Sequence, residues 1–186
     1  TGSNVFDAIV EYDGPSRANH DTAFKNIVIR DSLTFVLVDR ARGIYRFEDS
    51  TFFPLDNRGF GNESRDSETP VFHNYSFTMR LHTEFTYRSG LQFIFRGDDD
   101  VWTYVNNRLA IDLGGIHTAV SDTIDSDDLR RMGLTLNKKY SLDFFYAERH
   151  TNHSRIMIET NMIQPEIRIS LSVEPDMVVE AGTVVT

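Results

Sequence analysis

The chain has 186 residues, 40% of them hydrophobic, enough for one domain that removes roughly 70% of its unfolded-chain surface from water. Its 28 acidic residues against 19 basic ones give a net charge of −9. No dense Lys/Arg cluster is present to neutralise a row of phosphates, which sets nucleic acid and anionic membrane surfaces aside as partners. The absence of cysteine excludes disulfides, thiol catalysis, iron–sulfur clusters and thiolate zinc sites. No apolar run approaches the roughly 20 residues of a membrane span. The opening Thr1-Gly2-Ser3-Asn4 lacks a secretory-signal pattern, so the chain reads as a segment of a longer one.

Fourteen Phe and seven Tyr suit a half-buried pleated surface and point to an all-β fold. In chain order, residues 33–38 and 43–47 are short strand candidates, followed by Phe52-Phe53-Pro54-Leu55 and a polar loop over 56–69. Residues 77–87 give the clearest strand: Phe77, Met79, Leu81, Phe85 and Tyr87 fall on one parity, and Thr78, Arg80, His82, Glu84 and Thr86 on the other. Ser89-Gly90 supplies a turn, and Leu91, Phe93 and Phe95 resume the alternation, which predicts a hairpin. Asn106-Asn107 can take positive φ angles and predicts a second hairpin between 101–105 and 108–113. A short helix starts at Asp125 or Ser126, with acids in its first turn, Arg130 and Arg131 in its last, and Gly133 as the stop. Tyr140, Leu142, Phe144 and Tyr146 alternate again, as do Ile156 and Ile158 after a polar loop over 148–155. From Gln164-Pro165 the aromatics disappear. The division expected is a β-sandwich over 1–164, then an exit strand and linker over 165–186 into a following module.

The chemistry concentrates in Gly97-Asp98-Asp99-Asp100. Unit charges 4 Å apart repel by about 4 kcal/mol at an effective dielectric near 20, so the run needs compensation. It reads either as a solvated turn or as a calcium site, since Ca²⁺ takes roughly six to eight oxygen ligands from carboxylates, carbonyls and amides. The loop Glu148-Arg149-His150-Thr151-Asn152-His153-Ser154 is either a solvated hairpin or, if it meets the acidic run, a second source of ligands. His150 and His153 match no zinc spacing. A glycosidase needs one carboxyl in an apolar pocket, whereas contiguous acids beside a cation favour binding, so no enzymatic activity is expected. Trp102, the single tryptophan, suits sheet packing better than ligand contact.

Five ordered strings carry a resemblance: Phe52-Phe53-Pro54-Leu55-Asp56, His73-Asn74-Tyr75-Ser76-Phe77-Thr78, Gly97-Asp98-Asp99-Asp100-Val101-Trp102, Asp112-Leu113-Gly114-Gly115-Ile116-His117 and Ala147-Glu148-Arg149-His150. Over about residues 5–163 the chain resembles the fibro-slime domain, a bacterial and slime-mould extracellular module related to the anthrax protective-antigen-type lectin domain of yeast flocculins. The resemblance implies an antiparallel β-sandwich of that lectin type with one or more short helices. It also implies two adjacent aspartates, joined by a cis peptide, that bind Ca²⁺, which in turn binds sugar hydroxyls. Asp98-Asp99 is the matching pair, with Asp99-Asp100 as the other register. Glu148 falls at the side-chain ligand of the second loop, where asparagine is usual, and His150 and Asn152 fall at its carbonyl ligands. Asp98, Asp99, Asp100, His117, Arg149 and His153 are the implied carbohydrate contacts. The expected function is calcium-dependent binding of cell-surface or matrix glycans by an extracellular or cell-surface module of a bacterial adhesin, set among tandem extracellular domains of the same chain and without membrane insertion. The alternative is a calcium-rigidified structural or protein-binding module.

Overall fold

Alternation in the sequence decides which face each strand buries. The computed structural model describes residues 5–14, 27–59, 61–62, 72–75, 77–98, 100–115, 117–148 and 154–163. Within these residues the strands are β1 (Val5–Gly14), β2 (Ile27–Asp39), β3 (Ile44–Asp49), β4 (Phe77–Thr86), β5 (Gln92–Gly97), β6 (Asp100–Val105), β7 (Arg108–Leu113), β8 (Val120–Asp125), β9 (Lys139–Glu148) and β10 (Ile156–Thr160), with one short helix, α1 (Ser126–Arg131), between β8 and β9. β4 follows its pattern: Phe77, Met79, Leu81 and Phe85 are buried, and Thr78, Arg80, His82 and Glu84 are exposed.

The strands form one ladder in the order β7-β6-β9-β4-β1-β2-β3-β10-β5-β8, every pairing antiparallel. The ladder folds over on itself. Phe93 and Phe95 of β5 stand 5.8 and 5.6 Å from Phe144 of β9, although these strands lie far apart in the order. The result is an antiparallel sandwich in which the part of the ladder around β9 faces the part around β5 across an aromatic core. Phe35, Phe77, Phe93, Phe95, Phe144, Tyr12 and Tyr146 are fully buried, and each such side chain contributes about 1.5–3 kcal/mol by leaving water. Phe52 fills one end, edge-on to Tyr146 at 5.8 Å and to Phe77 at 6.0 Å.

Two sequence expectations are corrected by the pairings. The Ser89-Gly90 hairpin does not form: β4 pairs with β1 and β9, while β5 pairs with β10 and β8. Gly90, at φ 77°, turns the chain from one layer into the other. Nor do β9 and β10 pair as the arms of a hairpin: β9 pairs with β4 and β6, and β10 with β3 and β5. A third difference is an addition, since β1, the first half of β2 and β8 were not anticipated. The Asn106-Asn107 turn does form, at φ 49° and 59°, and joins β6 to β7. The helix is capped as expected: the Asp125 carboxylate accepts the Asp127 and Asp128 N–H groups, and Asp128 reaches back to the Asp125 N–H. Gly133, at φ 82°, ends it, with Leu134 N–H donating to Leu129 O. Residues 165–186 lie outside the described residues, as does the predicted exit strand.

Candidate functional site

Strand pairing brings the polar strings together. β5 pairs with β10 so that Gly97 faces Ile156, and β6 pairs with β9 so that Asp100 faces Ala147. The C-terminal end of β5, the start of β6, the end of β9 and the start of β10 therefore all lie at one end of the sandwich. β7 leaves β6 where Leu113 faces Val101, and β8 joins β5 where Val120 faces Gly97. The end of β7 and the start of β8 thus lie at the same end of the sandwich.

Both ends of the acidic run are tied down. On one side the Arg155 N–H donates to Asp98 Oδ1 at 2.9 Å. Gly97 permits this approach, since a Cβ there would lie 2.7 Å from the Arg155 carbonyl oxygen and 2.5 Å from Phe95 Cζ. On the other side the Gly115 N–H donates to Asp100 Oδ1. Gly114 packs against Trp102, and a Cβ would come within 2.9 Å of its Cζ2. His117 spans its own turn, with Nε2 2.9 Å from Leu113 O and Nδ1 3.0 Å from Thr118 O.

The carboxylates differ in exposure. Asp98 is half-buried, whereas Asp100 and Glu148 are 2% and 1% exposed. Asp100 is turned beneath the Gly114-Gly115 turn. Glu148 ends β9, with its Oε2 accepting the Tyr146 hydroxyl at 3.3 Å, and that hydroxyl also meets Ser154 Oγ at 2.9 Å. Asp99, Arg149, His150, Asn152 and His153 lie outside the described residues, as does the Asp98-Asp99 peptide. Among the described residues no three His, Asp or Glu side chains are grouped closely enough to hold a metal. Asp98, Asp100 and Glu148 each bring carboxylate oxygen, the donor type of a hard cation, to the strand ends here, but the three do not form a metal-holding group by themselves.

Two further strings brace the second loop. Asp56 accepts the Asn74 N–H at 2.8 Å and faces His73 Nδ1 at 2.5 Å, while Phe53 stacks on His73 at 3.8 Å. The Phe52 N–H then donates to Ser154 O at 2.9 Å, linking this clasp to the residues that lead into β10. The residues not anticipated are Arg155, acting through its backbone, and Tyr146 and Ser154. Gly97 was the one sequence signal for the Arg155 contact, because a glycine in a strand marks close backbone approach.

The sequence pattern of the PA14 domain matches residues 56–175. Two proteins of Dictyostelium discoideum are similar: psiC, 49% identical over 122 residues that cover 64% of this chain and 23% of that protein, and psiD, 43% identical over 145 residues that cover 77% and 28%. The chain thus spans about a quarter of the length of these relatives. Among solved structures, the PA14 domain of the antifreeze protein MpAFP aligns with a TM-score of 0.39 and 14% identity, covering 84% of this chain and 82% of that one. On the match over residues 56–175, the chain belongs to the PA14 domain family.

Proposed function

We propose that this chain is a calcium-dependent carbohydrate-binding module of the fibro-slime type, acting outside the cell or at its surface in adhesion. The observation that carries the proposal is the anchoring of the two acids that flank position 99, with the Arg155 N–H donating to Asp98 and the Gly115 N–H to Asp100. Asp98, Asp99 and Glu148 would hold Ca²⁺ through side chains, and His150 and Asn152 through carbonyl oxygens. The ion would supply open coordination positions to a pair of sugar hydroxyls. Around it, Asp100, His117, Arg149 and His153 would complete the hydrogen-bonding rim. The anchoring matters because groups held in place before binding lose little freedom on binding. The relatives named above come from a slime mould, so the proposed adhesin carries no bacterial attribution. Binding rather than turnover is the proposed activity, with glycans as partners and neighbouring extracellular domains of the same chain completing the protein.

The burial of Asp100 and Glu148 favours one further reading, in which the ion only rigidifies this end of the sandwich and the module serves a structural or protein-binding role. Calcium titration followed by thermal unfolding tests the ion, since a ligand at 100 times its Kd stabilises by about 2.7 kcal/mol. The shift should vanish in Asp98→Asn. A glycan array read with and without chelator separates the two readings: a calcium shift with no glycan signal selects the structural one. No shift with calcium in the unmodified chain overturns both.

A further inference from the structure

The outward face of the β4–β9–β6 layer carries a groove of about 620 Å³ lined by Trp102, Tyr104, Phe145, Arg80, Asp143 and Asn107. Its composition follows from register. Trp102 faces Phe145, which faces Arg80, so these three form one row across the sheet; Tyr104 faces Asp143, which faces His82, in the next row. The core does not require these aromatics. The inner face of β6 is supplied by Val101, Thr103 and Val105, and that of β9 by Leu142, Phe144 and Tyr146, all fully buried. Trp102 and Tyr104 are instead half-buried, and Phe145 is 36% exposed.

The polar groups are fixed as well. Asp143 is only 9% exposed, and Arg80 Nη2 and His82 Nδ1 both approach its Oδ1 at 2.8 Å. Neither of these bonds uses Oδ2. Arg80 also lies over the Phe145 ring, 5.9 Å from its centroid, and Tyr104 stands edge-on to Phe145 at 5.9 Å. A pyranose ring has the complementary character. Its C–H face covers an aromatic plane, and its equatorial hydroxyls donate to a carboxylate and accept from a guanidinium in one arrangement. The groups stand on strands, which hold such an arrangement better than loops do. The volume suits a short saccharide.

We propose that this groove is a second, metal-independent saccharide site, for neutral hexopyranose oligosaccharides, with Trp102 and Tyr104 as the stacking platform and Asp143 and Arg80 as the hydroxyl partners. It does not depend on the calcium site. It abuts that end of the fold through Gly114, which packs on Trp102.

The single tryptophan is the reporter. Cellohexaose, maltohexaose and mannohexaose are titrated separately into the chain in EDTA while Trp102 emission is followed. At least one should give a saturable change that persists in Asp98→Asn. Tyr104→Ala and Asp143→Asn should each weaken it roughly fivefold or more, while Tyr104→Phe retains it. A change that requires calcium and is lost in Asp98→Asn supports the ion site and overturns this one. No change with any of the three sugars also overturns it. So does an emission maximum that shifts with protein concentration alone, which marks a second copy of the chain in the groove, or a change given only by a proline-rich peptide. If Tyr104→Ala misfolds by circular dichroism, the Asp143→Asn and Tyr104→Phe pair decides.

Discussion

Replacing Gly97 with alanine sets a methyl carbon 2.5 Å from Phe95 Cζ and 2.7 Å from the Arg155 carbonyl oxygen. Neither neighbour yields easily. Phe95 is fully buried, and Arg155 is the residue before β10, where Ile156 pairs with both Asp49 and Gly97. Inserting a methylene-sized group into such packing costs about 1–3 kcal/mol. Moving Arg155 away also loosens its 2.9 Å bond to Asp98, a charge-assisted contact worth about 1.5 kcal/mol. Together these predict a loss near 3 kcal/mol, or roughly 6–12 °C in Tm for a domain of this size. The comparison is Gly114→Ala, where the close atom belongs to the half-buried Trp102 ring. That ring can shift outward, so the loss should be about 1 kcal/mol. Thermal melts followed by circular dichroism measure both. A Gly97→Ala midpoint within about 1 °C of the unmodified chain would show that the acidic turn is not clamped by Arg155.

Three other outcomes are expected. Thr103 is fully buried and its hydroxyl has no partner among the described residues, so Thr103→Val should raise stability by about 1 kcal/mol in urea unfolding at an unchanged m-value. Gly133→Ala places a side chain at φ 82° and should lower stability by about 1 kcal/mol; because α1 follows β8 at the end of the sandwich away from the acidic turn, any calcium-induced shift should be unaffected. Burial tends to raise the Asp143 pKa, but the hydrogen bonds and charges of Arg80 and His82 outweigh it and hold the carboxyl below its ordinary value. Its contribution is therefore present above about pH 4 and lost as the pH falls further through the depressed pKa; acid unfolding midpoints of the unmodified chain and Asp143→Asn should converge there, and a constant difference down to the acid limit would contradict the pairing.

Local chemistry was legible wherever one residue type had one physical solution. Asn106-Asn107 could be read as a two-residue turn because few side chains tolerate φ 49° and 59°, and Asp125 with Asp128 could be read as a helix start because their carboxylates meet N–H groups only a few residues away. Partner choice was not legible. Period-two alternation gives the same pattern whether a strand returns beside its predecessor or crosses to the facing layer, so 77–87 and 91–95 looked like a hairpin although Gly90 carries the chain across. β1 escaped notice because the exposed Ile9, at 60%, breaks its alternation. The site was legible only as separate acidic and polar strings. Their adjacency is long-range: Asp98 meets Arg155, 57 positions away, through pairings of β5 with β10 and β6 with β9 that no local pattern encodes.

The first and last strands of the ladder, β7 and β8, are consecutive in the chain and touch each other. A sheet normally ends in rows of unpaired backbone groups that can recruit a strand from a neighbouring molecule. Here the two ends are brought together by the connection over 114–119, and each is only six residues long. They carry Arg108 and Asp112 on one strand and Asp122 on the other, all exposed. The turn that flanks the acidic site thus also draws the sheet's open borders toward one another, guarding crowded copies against polymerisation strand by strand.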